Sequence, residues 1–568
     1  MSYARNLARI ARAGVTTVKG EAEIRALDVY SGIYPAAIET RCFADDNDKG
    51  GGLWRWYPEN VDAEVPGLVV KPAAATTGRY IRNYSGPFHL SWAGVNPNAA
   101  DVAPIISEVM AVIGQAHEFI LPTGTLLVKT RVETQVPAGF VLTGQGVGAT
   151  LLQIDNDITD FPIFVSKGDI ANNGLQNQGI LFRDFTVSGY NTVDPEGRRA
   201  FDFLSVELVG LLMLSNMQFD RIRGHAYKAL RAWDHRIINC DFTSCGSFSD
   251  LKAAVYFGES FLSETPQAGT SNGIHWTSSR VEACDYRGLE LYKCAQVWMR
   301  GKFHGPSSDR AWIGDFTQTC LLYIGQDSHD INLIGSQVSP INASDAILLG
   351  DCYNVTIGNC TFDAANGAVS GDQYFIRCLA EGGLARKFTI SKNVFGDFQQ
   401  TADLDITEAG RTYRLDISDN SWSFVAVPVV GDFNDICRHP TTGYVWTQQQ
   451  WEDQSYRMRM LASGGLQFGD GTYGSGNVSL EQGTNWDNAE ARNRPCLISD
   501  GFISADKGFA FGSGSVEQVM ILTGLGSPIT NGLFAGKGSL YLQGDGTAGS
   551  LLWAKINANG VADWVAIG

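Results

Sequence analysis

Along the middle of the chain a short phrase recurs: apolar, any, apolar, any, then a polar turn residue or Cys, then an aromatic. It reads LLMLSNMQF at Leu211–Phe219, HRIINCDF at His235–Phe242 and SRVEACDY at Ser279–Tyr286. It returns as VTIGNCTF at Val355–Phe362, FTISKNVF at Phe388–Phe395 and LDISDNSW at Leu415–Trp422. Such alternation predicts a short strand with one buried face, and the polar residue bends it into a second strand. Phrase starts lie about two to three dozen residues apart, or at multiples of that, which is the spacing of a stacked solenoid. One coil is too small to bury a core of its own, so coils stack and share one.

The flanks have a different texture. Residues 1–86 show little periodicity and predict a small, irregular attachment region. Asp101–Gln115 carries Val102, Ile105, Ile106, Val109, Val112 and Ile113 at helical spacing behind an Asp, predicting a helix over 101–116. Such a helix covers the apolar end of a solenoid's first coil. After Val430 the repeats give way to Gly-rich strands and turns such as GGLQFGDGTYGSG. The expected organisation is an N-terminal region 1–86, a solenoid 87–430 and a β-rich module 431–568.

Composition narrows the function. Gly is abundant at 64 of 568 residues, and the short runs are rich in Val, Ile, Thr and aromatics, favouring an all-β protein. A net charge of -17 argues against nucleic acid, which selects basic grooves. The most apolar window, Phe201–Ser215, contains Asp202 and Glu207 and is not expected to insert in a membrane. The N-terminal MSYARNLARIARAG lacks the apolar stretch of a secretion signal, so synthesis in a cytoplasm is expected. The 11 Cys have no CxxC pairs, and Cys240, Cys284 and Cys360 fall at one phrase position, where a buried thiol suits a stacked interior.

Tyr80–Val128 holds an aromatic-Gly segment, Asp101, the helix, then ILPTGTLLV, followed by the Gly-rich turn of AGFVLTGQGVGATLL. In order and spacing this resembles the entry of pectate-lyase-like right-handed parallel β-helices, above all phage tailspikes. The ending GSLYLQGDGTAGSLLWAKINANGVADWVAIG is similar to the C-terminal module of many phage tail proteins. The resemblance covers roughly residues 80–568. It implies a homotrimer on the virion tail whose partner is a bacterial capsular polysaccharide. Met1–Gly14 would then dock on another tail protein.

In a β-helix the outward residues of each strand face solvent or a neighbouring subunit. In HRIINCDF and SRVEACDY the residue between Cys and the aromatic, Asp241 and Asp285, is expected to point outward. On adjacent coils the two carboxylates would stand about 5 Å apart. With Glu282 and Glu290 they form the candidate acid, base or nucleophile set of a glycoside hydrolase. Crowding raises one carboxyl pKa and keeps a proton for the leaving group. Arg231, His275, Trp276, Arg280, Tyr292, Trp298 and Arg300 are the candidate substrate-binding residues. Aromatic rings stack on sugar faces and Arg forks bind uronate or pyruvate carboxylates. The interruption Ser247–Asn272, with Glu259 and Glu264, is a candidate groove wall.

Hydrolysis needs no cofactor. The resemblance keeps open β-elimination of a uronic-acid glycan, with Ca²⁺ held by Asp241, Glu282 and Asp285. Two readings of other kinds stand beside it: a receptor-binding spike that holds the glycan uncut, and a cellular pectinase. No paired His spacing, P-loop or GxSxG motif is present.

Overall fold

A computed structural model describes residues 16–421 apart from segments 28–33, 44–49, 114–116, 160, 169–176, 192–197, 260–269, 306–318, 341–344, 364–373, 380–386, 397–401 and 406–413. Beyond 421 it describes chiefly the strands. The residues fall into two units, 1–384 with 396–404 and 385–395 with 405–568.

In the first unit three parallel ladders run the length of a β-helix. The first face includes Leu181–Arg183, Met213–Ser215 and Arg236–Ile238, then the opening halves of Ser271–Glu282 and Cys294–His304, then His329–Ile334 and Tyr353–Gly358. The second face includes Thr186–Ser188, Gln218–Asp220 and Asp241–Thr243, the closing halves of the same two long strands, and Gln337–Ser339. The third runs through Tyr227–Leu230, Val255–Gly258, Arg287–Leu291, Cys320–Ile324 and Asp345–Leu349. The expected all-β parallel β-helix is the observed fold.

The corner between the first two faces is a column of left-handed residues. Asp184, Asn216, Asn239, Ser278 and Asn359 have φ of 52 to 62°, and Gly335 has 67°. Asn and Asp tolerate this conformation because their short polar side chains hydrogen-bond locally, and Gly because it has no Cβ. Here Asn239 Nδ2 donates to Asn216 Oδ1 at 3.0 Å, and Asn216 Nδ2 to Asp184 Oδ1 at 2.6 Å. Inside, aromatic rings stack from coil to coil: Phe219 on Phe242 at 4.8 Å, Phe242 on Trp276 at 5.5 Å, Trp276 on Phe303 at 6.0 Å. Gly301 is required beside this stack, since a Cβ there would meet Ser279 O at 2.2 Å and Trp276 Nε1 at 2.7 Å.

The predicted helix is present as Ala103–Ile113. Asp101 caps it by accepting from the Ala103 amide, and ties it to the coil by accepting from Lys129 N at 3.1 Å and Thr130 Oγ1 at 2.7 Å. The N-terminal region differs from expectation. Thr16–Val18, Ala37–Thr40, Gly52–Tyr57, Arg79–Arg82 and Val69–Val70 form one five-stranded sheet over Ile24, Ile38, Trp54, Val70 and Tyr80. Its strands are short and lie far apart in sequence, so no window shows a period. The peptide Met1–Gly14 lies outside the described residues.

In the second unit Lys387–Ser391 and Arg414–Ser418 still pair in parallel, Phe388 opposite Leu415 and Ile390 opposite Ile417. From Asp435 onward the strands pair antiparallel, except Val519–Gly524 with Leu540–Gln543.

Candidate active site

The register assembles a polar surface on the second face. One row runs Gln218, Asp241, Arg280, Lys302, Gln337, and the next runs Asp220, Thr243, Glu282, His304, Ser339. Asp241 and Glu282 are therefore diagonal neighbours, and Arg280 joins them. Its Nε and Nη2 donate to the Asp241 carboxylate at 2.9 and 2.5 Å, and Nη1 lies 2.8 Å from Glu282 Oε2. The fork raises the Arg280 pKa, chiefly through the hydrogen bond to Asp241. His304 Nδ1 approaches Glu282 at 3.6 Å.

Asp220 completes the group and was missed by the sequence reading, which ended its phrase at Phe219. The signal was there: Asp220 follows the aromatic as Thr243 follows Phe242. Its side chain is 27% exposed, its nearest cation is Arg221 at 3.9 Å, and Ser188 Oγ lies 3.4 Å away. Burial pushes its carboxyl up, and the neighbouring Asp241 adds to the rise.

Across the left-handed corner, the first face carries His275, Trp298 and Arg300. His275 pairs in register with Trp298, and the rings stack at 4.8 Å and 14°. That separation equals a strand spacing, so the ring planes lie across the helix axis and one face of Trp298 is already covered. Trp298 remains 43% exposed.

Five candidates lie elsewhere. Asp285 does not face outward; it is buried and bonded to the buried Arg198. The CDY of SRVEACDY lies one corner further along its coil than the CDF of HRIINCDF. Asp241 is opposite Arg280, not opposite Asp285, and Cys284 follows the left-handed Ala283 as Cys245 follows Ser244. Cys240 and Cys284 thus occupy different corners, although both are buried and burial pushes both thiols up to about 12.

Glu290 stands on the third face between Tyr256 and Tyr323, bonded to Arg287 at 2.9 Å, with its carboxyl pushed up by burial. Tyr292 follows that strand, its hydroxyl donating to Gln326. Arg231 is a third-corner residue at φ 47°, buried against Glu207 at 2.7 Å. Trp276 is core: strict alternation that sends His275 out sends Trp276 in.

Among the described residues, no group of three or more His, Cys, Asp or Glu could hold a metal ion. Asp241 and Glu282 enclose a guanidinium, and Asp285 is buried against Arg198, so this trio does not fit a Ca²⁺ cage. Also among the described residues, no helix is long and apolar enough to cross a membrane.

The enzymatically active domain of tailspike protein 2 of bacteriophage CBA120 superposes with a TM-score of 0.50 at 11% identity, over 92% of this chain and 82% of that one. Phage tailspikes share this fold. Two further matches are ORF18 of Geobacillus virus E2, with a TM-score of 0.49, 14% identity and 98% of each chain, and gp49, a tailspike protein of Acinetobacter baumannii bacteriophage Fri1. The latter, a capsular polysaccharide depolymerase, has a TM-score of 0.46 at 11% identity over 89% of this chain and 91% of its own. No protein-family model and no curated protein matches the sequence. On the tailspike fold, then, this chain carries three carboxylates and an arginine on one outward face.

Proposed function

We propose that the chain is a phage tailspike depolymerase that hydrolyses a bacterial capsular polysaccharide on its second face. The observation that carries this is the division of labour among three carboxylates. Asp241 and Glu282 share Arg280, whereas Asp220 has no such fork and is pushed toward its protonated form. A hydrolase needs such a split: one carboxyl to give a proton, another to take one.

Asp220 and Glu282 stand two rungs apart on one row, about 9.5 Å at the backbone. Carboxyl groups roughly 6.5–9.5 Å apart leave room for a water and invert the anomeric carbon. Asp220 protonates the leaving glycosidic oxygen as the C–O bond breaks. Glu282 takes a proton from the water that attacks from the other side. Asp241 holds Arg280 in position and keeps the Asp220 carboxyl elevated.

As a tailspike the chain would work on the virion as a homotrimer, bound through its N-terminal region to another tail protein. A β-helix leaves long flat faces, and three copies packed side by side bury one each.

The test is incubation of the purified protein with a panel of capsular polysaccharides and mass spectrometry of the products. One added water per cut and an inverted reducing end are expected. Unsaturated uronate ends would replace hydrolysis with β-elimination, and a bound but uncut glycan would reduce the site to a receptor.

A further inference from the structure

The two faces that meet at the left-handed corner differ in charge. Between Met213 and Thr356 the outward positions of the first face include Arg236, His275, Thr277, Trp298, Arg300 and Asn332, and the one carboxylate in its described strands there, Asp330, is tied to His329 and Asn354. Arg236 and Arg300 are exposed, as is Lys302 just across the corner, beside Arg280. Among the described residues none of the three has a carboxylate within salt-bridge distance. The contrast with their neighbours is sharp: Arg183, Arg198, Arg231, Arg280, Arg287 and Lys293 are each paired.

In a chain of net charge -17, with carboxylates in excess, this strip gathers three exposed cations that have no ion partner among the described residues. Gathering them there raises the local potential against the field of the whole molecule, which favours an anionic ligand over the bulk surface. The strip also has a fixed relation to the second-face carboxylates. Lys302 is the rung after Arg280, and Arg300 is two residues before Lys302 in the same strand, with Gly301 at the turn.

We infer that this strip binds a carboxylate-bearing sugar of the glycan, with Arg300 and Lys302 as its anion-binding residues and Arg236 as an outer contact. The inference rests on the glycan reading above and narrows its substrate class to acidic polysaccharides. Arg300 supplies a planar fork suited to a carboxylate, and Lys302 a point charge.

The experiment measures binding by affinity electrophoresis. Its probes are acidic and neutral capsular polysaccharides, and the acidic ones after carbodiimide-activated borohydride reduction of their carboxyls. Binding to an acidic polysaccharide is expected to weaken about tenfold or more on carboxyl reduction, and similarly in Arg300→Gln/Lys302→Gln. It is also expected to fall with salt less steeply in the double variant than in the parent. Thermal unfolding checks that the variant keeps its fold.

Retention of the carboxyl-reduced glycan, or tight binding and cutting of a neutral one, would overturn the inference while leaving a depolymerase in place. An acidic glycan bound through the strip but left intact would uphold it and remove the hydrolase. If the variant changes the oligomeric state in light scattering and binds glycan like the parent, the strip is a contact between copies and the inference fails.

Discussion

Asp285 lies against Arg198, 87 positions earlier in the chain, and the pair is sealed from solvent at 5% and 1% exposure. Arg198 also donates to the carbonyls of Ser244 and Gly246. The pair stitches a late coil to an early one, so Asp285 acts on stability. Removing one partner of a buried pair strands the other charge and costs about 3–5 kcal/mol. Arg198→Met is expected to lose that much by denaturant unfolding. Adding Asp285→Leu should recover most of it, with depolymerase activity intact in the double variant.

Asp220 should behave differently. Asp220→Asn keeps the shape and removes the proton donor, so kcat is expected to drop about 10²-fold or more with glycan binding retained. Because the Asp220 carboxyl is raised, activity in the parent should persist as pH rises past the ordinary carboxylate range, then fall as Asp220 ionises. Rate against pH for both proteins checks this. A variant that keeps the parent's alkaline limb would remove Asp220 from the reaction.

Arg280 holds two carboxylates at once. Arg280→Met leaves Asp241 and Glu282 without the guanidinium that fixes both. Activity is expected to fall about tenfold or more with little change in thermal unfolding. Parent-like activity would mean that Arg280 only shapes the surface.

The two tryptophans on neighbouring rungs separate by role. Trp276→Ala empties the aromatic stack and is expected to cost about 3–5 kcal/mol of stability. Trp298→Ala should cost little stability and weaken glycan binding by about 1 kcal/mol or more. Paired unfolding and binding measurements distinguish them.

His235 is fully enclosed, with one ring nitrogen 2.6 Å from the Tyr227 hydroxyl and the other 2.9 Å from Val209 O. Burial pushes it down from 6.5 to about 4. As pH falls, the unfolded chain takes up this proton first. Stability present above pH 6.5 is thus lost progressively between 6.5 and about 4, to the extent of about 3 kcal/mol. Urea midpoints across that range should fall, and fall less in His235→Gln.

The coils were legible because alternation and turn residues recur locally. Phe242, Asn239 and Asn359 sit where the phrase puts them, and Asp241 and Glu282 do share a face. The failure at Asp285 has a specific origin. Each coil has several corners, and a left-handed residue followed by Cys occurs at three of them, so Asn239-Cys240, Ala283-Cys284 and Lys293-Cys294 look alike in sequence. Only the pairing of Asp241 with Arg280 distinguishes the first two, and pairing is a long-range fact. Arg231 was misread for a related reason: its ion partner Glu207 belongs to the preceding coil. The N-terminal sheet was hidden because Arg82 assembles it from afar, bonding the carbonyls of Gly50, Gly51 and Gly67.

The left-handed column along the corner asks only for a small polar residue or glycine, and nothing of the rungs on either side. Asp220, Asp241 and Arg280 each follow one of its left-handed residues, Asn216, Asn239 and Ser278. Asp241 and Arg280, tied across two coils, can change only as a unit, whereas Lys302 is free to be exchanged alone.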